Sequence, residues 1–500
     1  MAQIQQVETP RSGRQGLLVG GLTVVVLLAI AVAVYTVSGL QPEQREALQD
    51  YAQDYLPILM FLTLATLLFS GYPVAFVLGG VALSFGLFGY FLGMFKLIQF
   101  FAFVPRIWGQ AAENLVLVSI PAFVFMGVMM ERSGIAHDLL YCVQVLLKRV
   151  PGALALGVTI MGTILAAMTG IIGASVTMMT ALAMPTMIKQ GYSHALAAGT
   201  IAAAGTLGIL IPPSIMLIIM ADLLSVSVGT LFLAAIVPGL SLSALYLIFI
   251  ATAAKIKPSL APPLPPDALK VPKGEMKFLL MRAFFPPVFL IGLIKCSILF
   301  GWATPSEAGA VGALGCMILA AYNGRLKYAV LEGVCHTTAR TVAMVFFIII
   351  SATCFAFVYR SLGGDDIVEH LIRKAGLDSW GFVVLIMTIV FALGFFLDWI
   401  EITLIVLPVF APMIAGLDFA PHVAKEHMVI WFAILMAVNL QTSFLTPPFG
   451  FALFYLKGIA PKEVKIESIY KGIIPFVLLQ LVGLILCIAF PWLVLWLPRG

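Results

Sequence analysis

Charged residues are scarce in this sequence. Only 51 of its 500 residues are Lys, Arg, Asp or Glu, or 10%, whereas a soluble domain usually has about 25%. Hydrophobic residues make up 62% of the chain and the mean hydropathy is +1.09. A soluble fold cannot bury that much apolar surface. The composition therefore excludes soluble, disordered and disulfide-framework proteins and predicts a membrane protein that spans the bilayer many times.

Several familiar motifs are also missing. The sequence has no G-x-x-x-x-G-K-[ST], no H-E-x-x-H and no G-x-S-x-G, which argues against an ATP-driven pump and an intramembrane protease. Its six cysteines form no C-x-x-C and are interpreted as small core residues. The apolar runs are continuous rather than alternating, so the spans are predicted to be helices and not barrel strands. The net charge of +5 is interpreted as cytoplasmic loops rather than as a nucleic-acid surface.

The apolar pattern divides the chain into four parts. Residues 1–54 are interpreted as a cytoplasmic tail, an extra uncleaved membrane helix and an acidic external loop. Residues 55–254 and 283–500 form two long hydrophobic blocks. Between them, residues 255–282 carry six basic and two acidic side chains among many prolines. This segment is predicted to be an extended cytoplasmic linker.

The two blocks share landmarks in the same order. Pro73 with Gly80 matches Pro305 with Gly312 at an offset of 232, and Glu131-Arg-Ser matches Tyr359-Arg-Ser at 228. Leu210-Ile-Pro-Pro matches Leu445-Thr-Pro-Pro at 235. We interpret this as an internal duplication. Because the first block should cross the membrane an odd number of times, the second would be inverted, as in many secondary transporters.

Both blocks contain an apolar segment that proline should interrupt. Gly205, Gly208 and Pro212-Pro213 lie within one apolar stretch, and Pro447-Pro448 occupies the same place in the second block. Proline removes a backbone donor and disfavours helix in the residue before it. An unwound turn at membrane depth frees carbonyls that suit Na⁺, and a half-helix N-terminus favours an anion. A simple packing kink is the alternative.

A short hairpin precedes each interrupted segment. The first is predicted to turn near Thr169–Ser175, and its counterpart contains Asp398 and Glu401. These carboxylates are three residues apart, on one helix face, inside apolar sequence. They are candidate functional groups, with a charge at the membrane boundary as the alternative. Asp222, after the first interrupted helix, is equivocal between the two interpretations.

Four strings resemble the DctM-like large membrane subunit of the tripartite ATP-independent periplasmic (TRAP) transporters. They are Glu131-Arg-Ser-Gly-Ile-Ala, Gly205-Thr-Leu-Gly-Ile-Leu-Ile-Pro-Pro-Ser, Ala303-Thr-Pro-Ser-Glu-Ala and Asn439-Leu-Gln-Thr-Ser-Phe-Leu-Thr-Pro-Pro-Phe-Gly. The resemblance runs from about Pro57 to the C-terminus. It implies an all-α membrane fold of the ion-transporter superfamily, with inverted repeats, re-entrant hairpins, broken helices and an elevator-type movement.

The resemblance also implies a binding site. The expected substrate-binding residues are Thr169, Ser175, Pro212, Ser214, Asn439, Gln441, Thr442, Thr446 and Pro447. The expected Na⁺ ligands are Gly170, Ser175, Gly205, Thr206, Gly208, Asp398, Thr442 and Ser443. No catalytic residue and no cofactor are expected, with Na⁺ as the coupling ion.

The function implied is uptake of an organic anion, a carboxylate by preference, across the bacterial inner membrane, driven by a sodium gradient. Two separate partners are implied, a small four-helix membrane subunit (DctQ-like) and a periplasmic solute-binding protein (DctP-like). The alternatives are a stand-alone sodium-coupled symporter of the same superfamily, an intramembrane enzyme using Asp398 and Glu401, and a structural scaffold.

Overall fold

The computed structural model describes residues 42–147, 150–169, 172–263, 280–374, 376–447 and 450–499. The extra helix predicted within residues 1–54 and most of the linker therefore lie outside the described residues. The rest is helical, with short connections. Helices that are both long and apolar enough to cross a membrane occur four times in these ranges: Val74–Leu92, Val228–Ile256, Tyr328–Ser361 and Ile466–Ala489.

The helices are numbered here in chain order. The first ten are α1 (Pro42–Phe69), α2 (Val74–Leu92), α3 (Leu97–Phe101), α4 (Phe103–Ile107), α5 (Ser119–Arg132), α6 (Ile135–Leu147), α7 (Ala153–Thr169), α8 (Ile172–Lys189), α9 (His194–Thr206) and α10 (Ile215–Leu223). The others are α11 (Val228–Ile256), α12 (Phe285–Leu299), α13 (Pro305–Tyr322), α14 (Tyr328–Ser361), α15 (Gly364–Lys374), α16 (Ser379–Leu393), α17 (Trp399–Ala415), α18 (Met428–Ser443), α19 (Phe451–Ile459), α20 (Ile466–Ala489) and α21 (Trp492–Arg499).

The acidic segment before residue 55 differs from the prediction of a loop. Residues 42–54 form the first part of α1, which continues without a break to Phe69. The segment is rich in Glu, Gln, Ala and Leu, which are strong helix formers, and proline at its start is compatible with a first helical turn. The loop was predicted from the charges of this segment, and its helix propensity was given too little weight. On which side of the membrane the segment lies stays a prediction.

The described chain separates into two compact units. One contains residues 42–112 and 347–374, and the other contains residues 113–346 and 376–499 within the described ranges. In the first unit, α1 packs on the end of α14 through aromatic rings. The ring centroids of Phe61 and Tyr359 are 4.9 Å apart at right angles, and those of Phe61 and Phe355 are 5.6 Å apart. Edge-to-face contacts of this kind stabilise a pair beyond the area that it buries.

The second unit has two fully buried helices at its centre, α9 and α18. Every residue from Leu196 to Thr206 is buried, as is nearly every residue of α18. The helix α20 crosses α9 at Gly199 and Gly472, where each glycine faces the backbone of the other helix and leaves no room for a Cβ atom. Glycine permits such a close crossing because the helix backbones can touch. The interrupted segments predicted from the sequence therefore lie in the best-packed part of this unit.

The predicted duplication has matching structural landmarks. Pro73 immediately precedes α2, and Pro305 is the first residue of α13. The paired Arg-Ser strings end α5 and α14, and the paired proline strings each follow a buried helix. The second and third landmarks are four helices apart in both blocks, whereas α3 and α4 have no counterpart between α13 and α14. The duplication and its inversion stay predictions.

Candidate functional site

The first proline string interrupts a helix, as predicted. The helix α9 ends at Thr206, a 3₁₀ turn covers Leu207–Ile209, and α10 begins only at Ile215. The Ser214 hydroxyl donates to the Ile209 carbonyl at 2.6 Å, closing the turn from the other side. All residues from Leu207 to Ser214 are buried, Gly208 and Pro212 included. An irregular backbone is thus held within protein, which is the condition for such a break at membrane depth.

The second proline string also separates two helices. The helix α18 ends at Ser443 and α19 begins at Phe451, while Thr446 and Pro447 lie in the turn between them. Gly450, which precedes α19, has φ +48°, and the Leu453 side chain and the Phe444 carbonyl fill the space a Cβ would need. Both the left-handed backbone and the close packing therefore require glycine here. Pro448 and Phe449 lie outside the described residues.

The two interrupted helices meet through polar side chains. The Gln441 Nε2 atom lies 3.5 Å from the Thr206 hydroxyl and 3.4 Å from the Tyr246 hydroxyl, both long hydrogen bonds. All three residues are fully buried. Thr206 and Gln441 are 235 residues apart, the same offset that relates the two proline strings. Residues at equivalent positions of the predicted repeats therefore contact each other where the broken helices cross.

The same cluster contains a buried polar atom without a partner. Within the described residues the Gln441 Oε1 atom has no hydrogen-bond partner, whereas the Gln480 amide lies close enough to the Tyr246 hydroxyl to interact with it. Gln480 lies on α20 one turn after Phe476, whose ring is 5.4 Å from that of Tyr246. An unpaired amide oxygen costs free energy in a buried site, so Gln441 marks a place where packing alone does not explain the sequence.

Most hydroxyls predicted as ligands already donate their proton to the backbone. Thr206 donates to Ala203, Thr442 to Val438, Ser443 to Leu440 and Thr446 to Thr442, at 2.8–3.0 Å. A hydroxyl has one proton and two lone pairs, so what these groups have left is acceptor capacity. In this conformation they suit a cation better than an anion. The hydroxyl of Ser214, also predicted to bind substrate, likewise donates its proton to a backbone carbonyl.

The first hairpin consists of α7 and α8. The helix α7 ends at Thr169 and α8 begins at Ile172; the predicted ligand Gly170 lies outside the described residues, as does the side chain of Thr169. Ser175 is buried in the first turn of α8 rather than in the turn itself. Two glycines fix the position of the hairpin. Gly173 packs against the Tyr455 ring of α19, and Gly205 of α9 packs against Val176.

The second hairpin consists of α16 and α17, and its carboxylates cap a helix. Asp398 is the N-cap of α17, where its Oδ1 accepts from the Trp399 N–H at 2.8 Å. Glu401 accepts from the Asp398 N–H at 3.1 Å, which completes a capping box. The two residues are therefore not a pair along one helix face, as the spacing suggested. Each satisfies a backbone group at the start of α17, since the first turn of a helix lacks internal partners.

Tyr455 and α18 connect this hairpin with the second break. The Tyr455 hydroxyl is within electrostatic range of Asp398 and Glu401. Asn439 of α18 donates to the Met387 carbonyl of α16 at 2.7 Å, and Gly394 packs against Ser443. Tyr455 thus touches the first hairpin while lying near the carboxylates of the second. The two predicted half-sites lie side by side within one compact unit.

Asp222 has a role that the sequence left open. Its Oδ1 accepts from the Asn114 amide at 2.7 Å, and Asn114 in turn accepts from the N–H groups of Val116 and Leu117. The segment before α5 is held further by Ser306, which donates to the Leu115 carbonyl at 2.9 Å. Asp222 is therefore a structural anchor for this connection at the end of α10.

Four polar residues of the site were not predicted. Tyr246 and Gln480 are polar side chains inside long apolar helices, a signal that sequence reasoning could have used. Tyr455 and Asn114 carry no such signal because their partners are distant in the sequence. Within the described part of the chain, no three His, Cys, Asp or Glu side chains come together to hold a metal ion.

Known proteins resemble this chain along most of its length. The TRAP transporter permease DctM for C4-dicarboxylates from Pseudomonas aeruginosa is 29% identical, with 78% of this chain and 88% of that protein aligned. The isethionate permease DctMQ from Oleidesulfovibrio alaskensis is 28% identical over 83% of this chain and 64% of that protein. The ectoine permease TeaC from Halomonas elongata is 26% identical over 88% of this chain and 98% of that protein.

Solved structures support the same fold. The crystal structure of the YdaH transporter from Alcanivorax borkumensis superposes with a TM-score of 0.55 and covers 81% of this chain and 90% of that chain, at 13% identity. At that identity the likeness concerns the fold alone. It confirms an all-helical membrane protein with many spans.

Residues 61–493 match the family model described as the tripartite ATP-independent periplasmic transporter, DctM component. A match over so much of the chain makes it a transporter component rather than an enzyme. The broken helices, the hairpins and this match agree, and the chain belongs to the DctM family of large permease subunits of TRAP transporters.

Proposed function

We propose that this permease imports an organic anion together with Na⁺, and that a periplasmic solute-binding protein delivers the anion. The observation that carries the proposal is the meeting of the two interrupted helices at Thr206 and Gln441, next to the hairpins. Such breaks are where secondary transporters bind ions and substrates.

The coupling ion is assigned to the hydroxyls and carbonyls of the breaks. Thr206, Thr442 and Ser443 offer lone pairs and no free proton, which is the chemistry a hard cation requires. Asp398 would add a negative charge beside them. Gly170, Ser175, Gly205 and Gly208 would complete the ligand set through backbone and hydroxyl oxygens.

The substrate is assigned to the space beside the half-helices α10 and α19. Both begin within the breaks, so their N-termini would favour a negative group such as a carboxylate. The relatives are named for solutes that differ in chemistry, namely C4-dicarboxylates, isethionate and ectoine. The solute-binding protein, rather than this chain, would then choose among them.

The family description names a tripartite system, and one relative is named as a DctMQ protein. We infer that this chain works with a separate small membrane subunit and a solute-binding protein in the bacterial inner membrane. During transport the two hairpins and the broken helices would move together against the remaining helices. The duplication would place the two halves of the site in opposite orientations, so that each side of the membrane could reach it.

Uptake into proteoliposomes tests this function. Liposomes would contain the permease and its small subunit, with organic acids outside, and the sodium gradient and the solute-binding protein would each be supplied or withheld. We expect uptake only when both are present. Uptake with Na⁺ but without the binding protein would contradict the tripartite function and favour the stand-alone symporter. Uptake that ignores the sodium gradient but follows a proton gradient would overturn the coupling ion.

A further inference from the structure

A surface cleft lies against α8 and is lined by residues that are not among the predicted ligands of the transport site. It has a volume of about 510 Å³. Its walls come from the end of α5, the start of α6, the middle of α8 and the loop after α13. The lining side chains that matter here are Glu131, Arg132, His137, Met178, Leu182 and Arg325.

Two arginines converge on this cleft from different elements. The Arg132 guanidinium donates to the Thr337 hydroxyl at 3.3 Å and packs against Gly333. The Arg325 guanidinium packs directly against Gly134, whose φ of +72° and lack of a Cβ atom make room for it. Among the residues that line the cleft, the two arginines face a single carboxylate, that of Glu131. The lining therefore carries one net positive charge with His137 neutral, and the Asp138 carboxylate, 3.6 Å from the His137 ring, is not among the lining residues.

The floor of the same cleft is apolar. Met178 is buried and Leu182 is half-buried on α8, and Ala136 is buried beside them. A site for a small hydrophilic anion would not require an apolar surface. A cationic rim above an apolar wall fits an amphiphile with a negative head and a hydrocarbon tail.

The position of the cleft in the chain fits the membrane surface. Arg325 and Lys327 belong to the short connection between α13 and α14, two apolar helices. Positive charges in short connections mark the cytoplasmic side, where anionic lipids give the membrane its negative surface potential. We propose that this cleft binds the headgroup of an anionic phospholipid, with Arg132 and Arg325 on its phosphate and one acyl chain along Met178 and Leu182.

Native mass spectrometry of the delipidated full-length permease tests the site. The protein would be mixed with phosphatidylglycerol, with phosphatidylcholine, or with phosphatidylglycerol plus an excess of inorganic phosphate. We expect phosphatidylglycerol to stay bound where phosphatidylcholine does not. Inorganic phosphate should not displace it, because phosphate lacks the acyl chain. Equal retention of the two lipids, or full displacement by phosphate, would overturn the proposal.

Variants locate the binding to this cleft. Arg325→Gln should lower phosphatidylglycerol affinity about tenfold, since it removes charge-assisted hydrogen bonds to the phosphate. Lys327→Gln is the matched control, because it removes one positive charge from the same connection without lining the cleft. Leu182→Asn should weaken the lipid while leaving both arginines in place. Identical loss in Arg325→Gln and Lys327→Gln would show general surface charge rather than this site.

Discussion

At the scale of single residues, Asp398 shows how one side chain can carry two roles. Its apolar surroundings in the sequence mark it as functional, and the structure makes it the N-cap of α17 in a reciprocal capping box with Glu401. The Asp398 carboxylate accepts from the Trp399 N–H and, in the capping box, from the Glu401 backbone, and this role requires acceptor oxygens but no negative charge. The cap alone therefore does not account for a carboxylate here, because a neutral Asn caps a helix equally well.

Replacing Asp398 with Asn separates the two roles. If the charge binds Na⁺, Asp398→Asn should keep the thermal stability of the protein and weaken the apparent sodium affinity of uptake about tenfold, or about 1.4 kcal/mol. Asp398→Ala should in addition lose about 1 kcal/mol of stability with the cap. Asp378→Asn is the control, because Asp378 caps α16 in the same way, through the Gly381 N–H at 2.8 Å. If Asp398→Asn keeps the sodium dependence of the wild type, Asp398 only caps the helix and does not bind Na⁺.

At the scale of helices, the sequence predicted where helices are interrupted better than where they begin and end. Proline acts on the local backbone, so both interruptions appear where they were expected, between Thr206 and Ile215 and between Ser443 and Phe451. The start of α1 was not predicted, because the charged residues before residue 55 were interpreted as a loop although they favour a helix. The partners of Gln441 were missed as well, since Thr206 and Tyr246 come close only through packing. Local chemistry is readable from sequence, whereas contacts across hundreds of residues are not.

The crossing of α9 and α20 gives a prediction about packing. A Cβ at Gly199 would meet the Gly472 backbone, which cannot move aside as a side chain could, so Gly199→Ala should destabilise the protein by about 1–3 kcal/mol. Gly292→Ala is the matched control, because Gly292 lies within α12 and a Cβ there meets nothing within 4 Å. Thermal unfolding in detergent measures both. Equal melting temperatures for Gly199→Ala and wild type would show that the crossing is looser than described.

At the scale of the whole molecule, the predicted duplication would connect the sequence landmarks, the helix order and the site. Three sequence landmarks recur at offsets of 228–235, and the second and third are four helices apart in both blocks. Thr206 and Gln441, at matching positions of the two blocks, contact each other. Proline, glycine and small-residue patterns allowed the helix–break–helix order to be predicted from sequence. The division into two compact units was not predicted, because each unit takes segments from both hydrophobic blocks. Which segments pack together depends on tertiary contacts that no local pattern encodes.

If the repeats are inverted, the open ends of the two hairpins lie on opposite sides of the membrane. Lys189 ends α8, and Glu426 lies in the connection after α17; both side chains are exposed. The background protein would carry Cys296→Ser and Cys335→Ser, because those two cysteines are exposed and would react. Lys189→Cys and Glu426→Cys would each be introduced alone into this background. A membrane-impermeant maleimide added to intact spheroplasts should label Cys at 426 and spare Cys at 189, and inside-out vesicles should give the reverse. Labelling of both positions from one side would contradict the inverted arrangement and would mean that the two repeats run parallel.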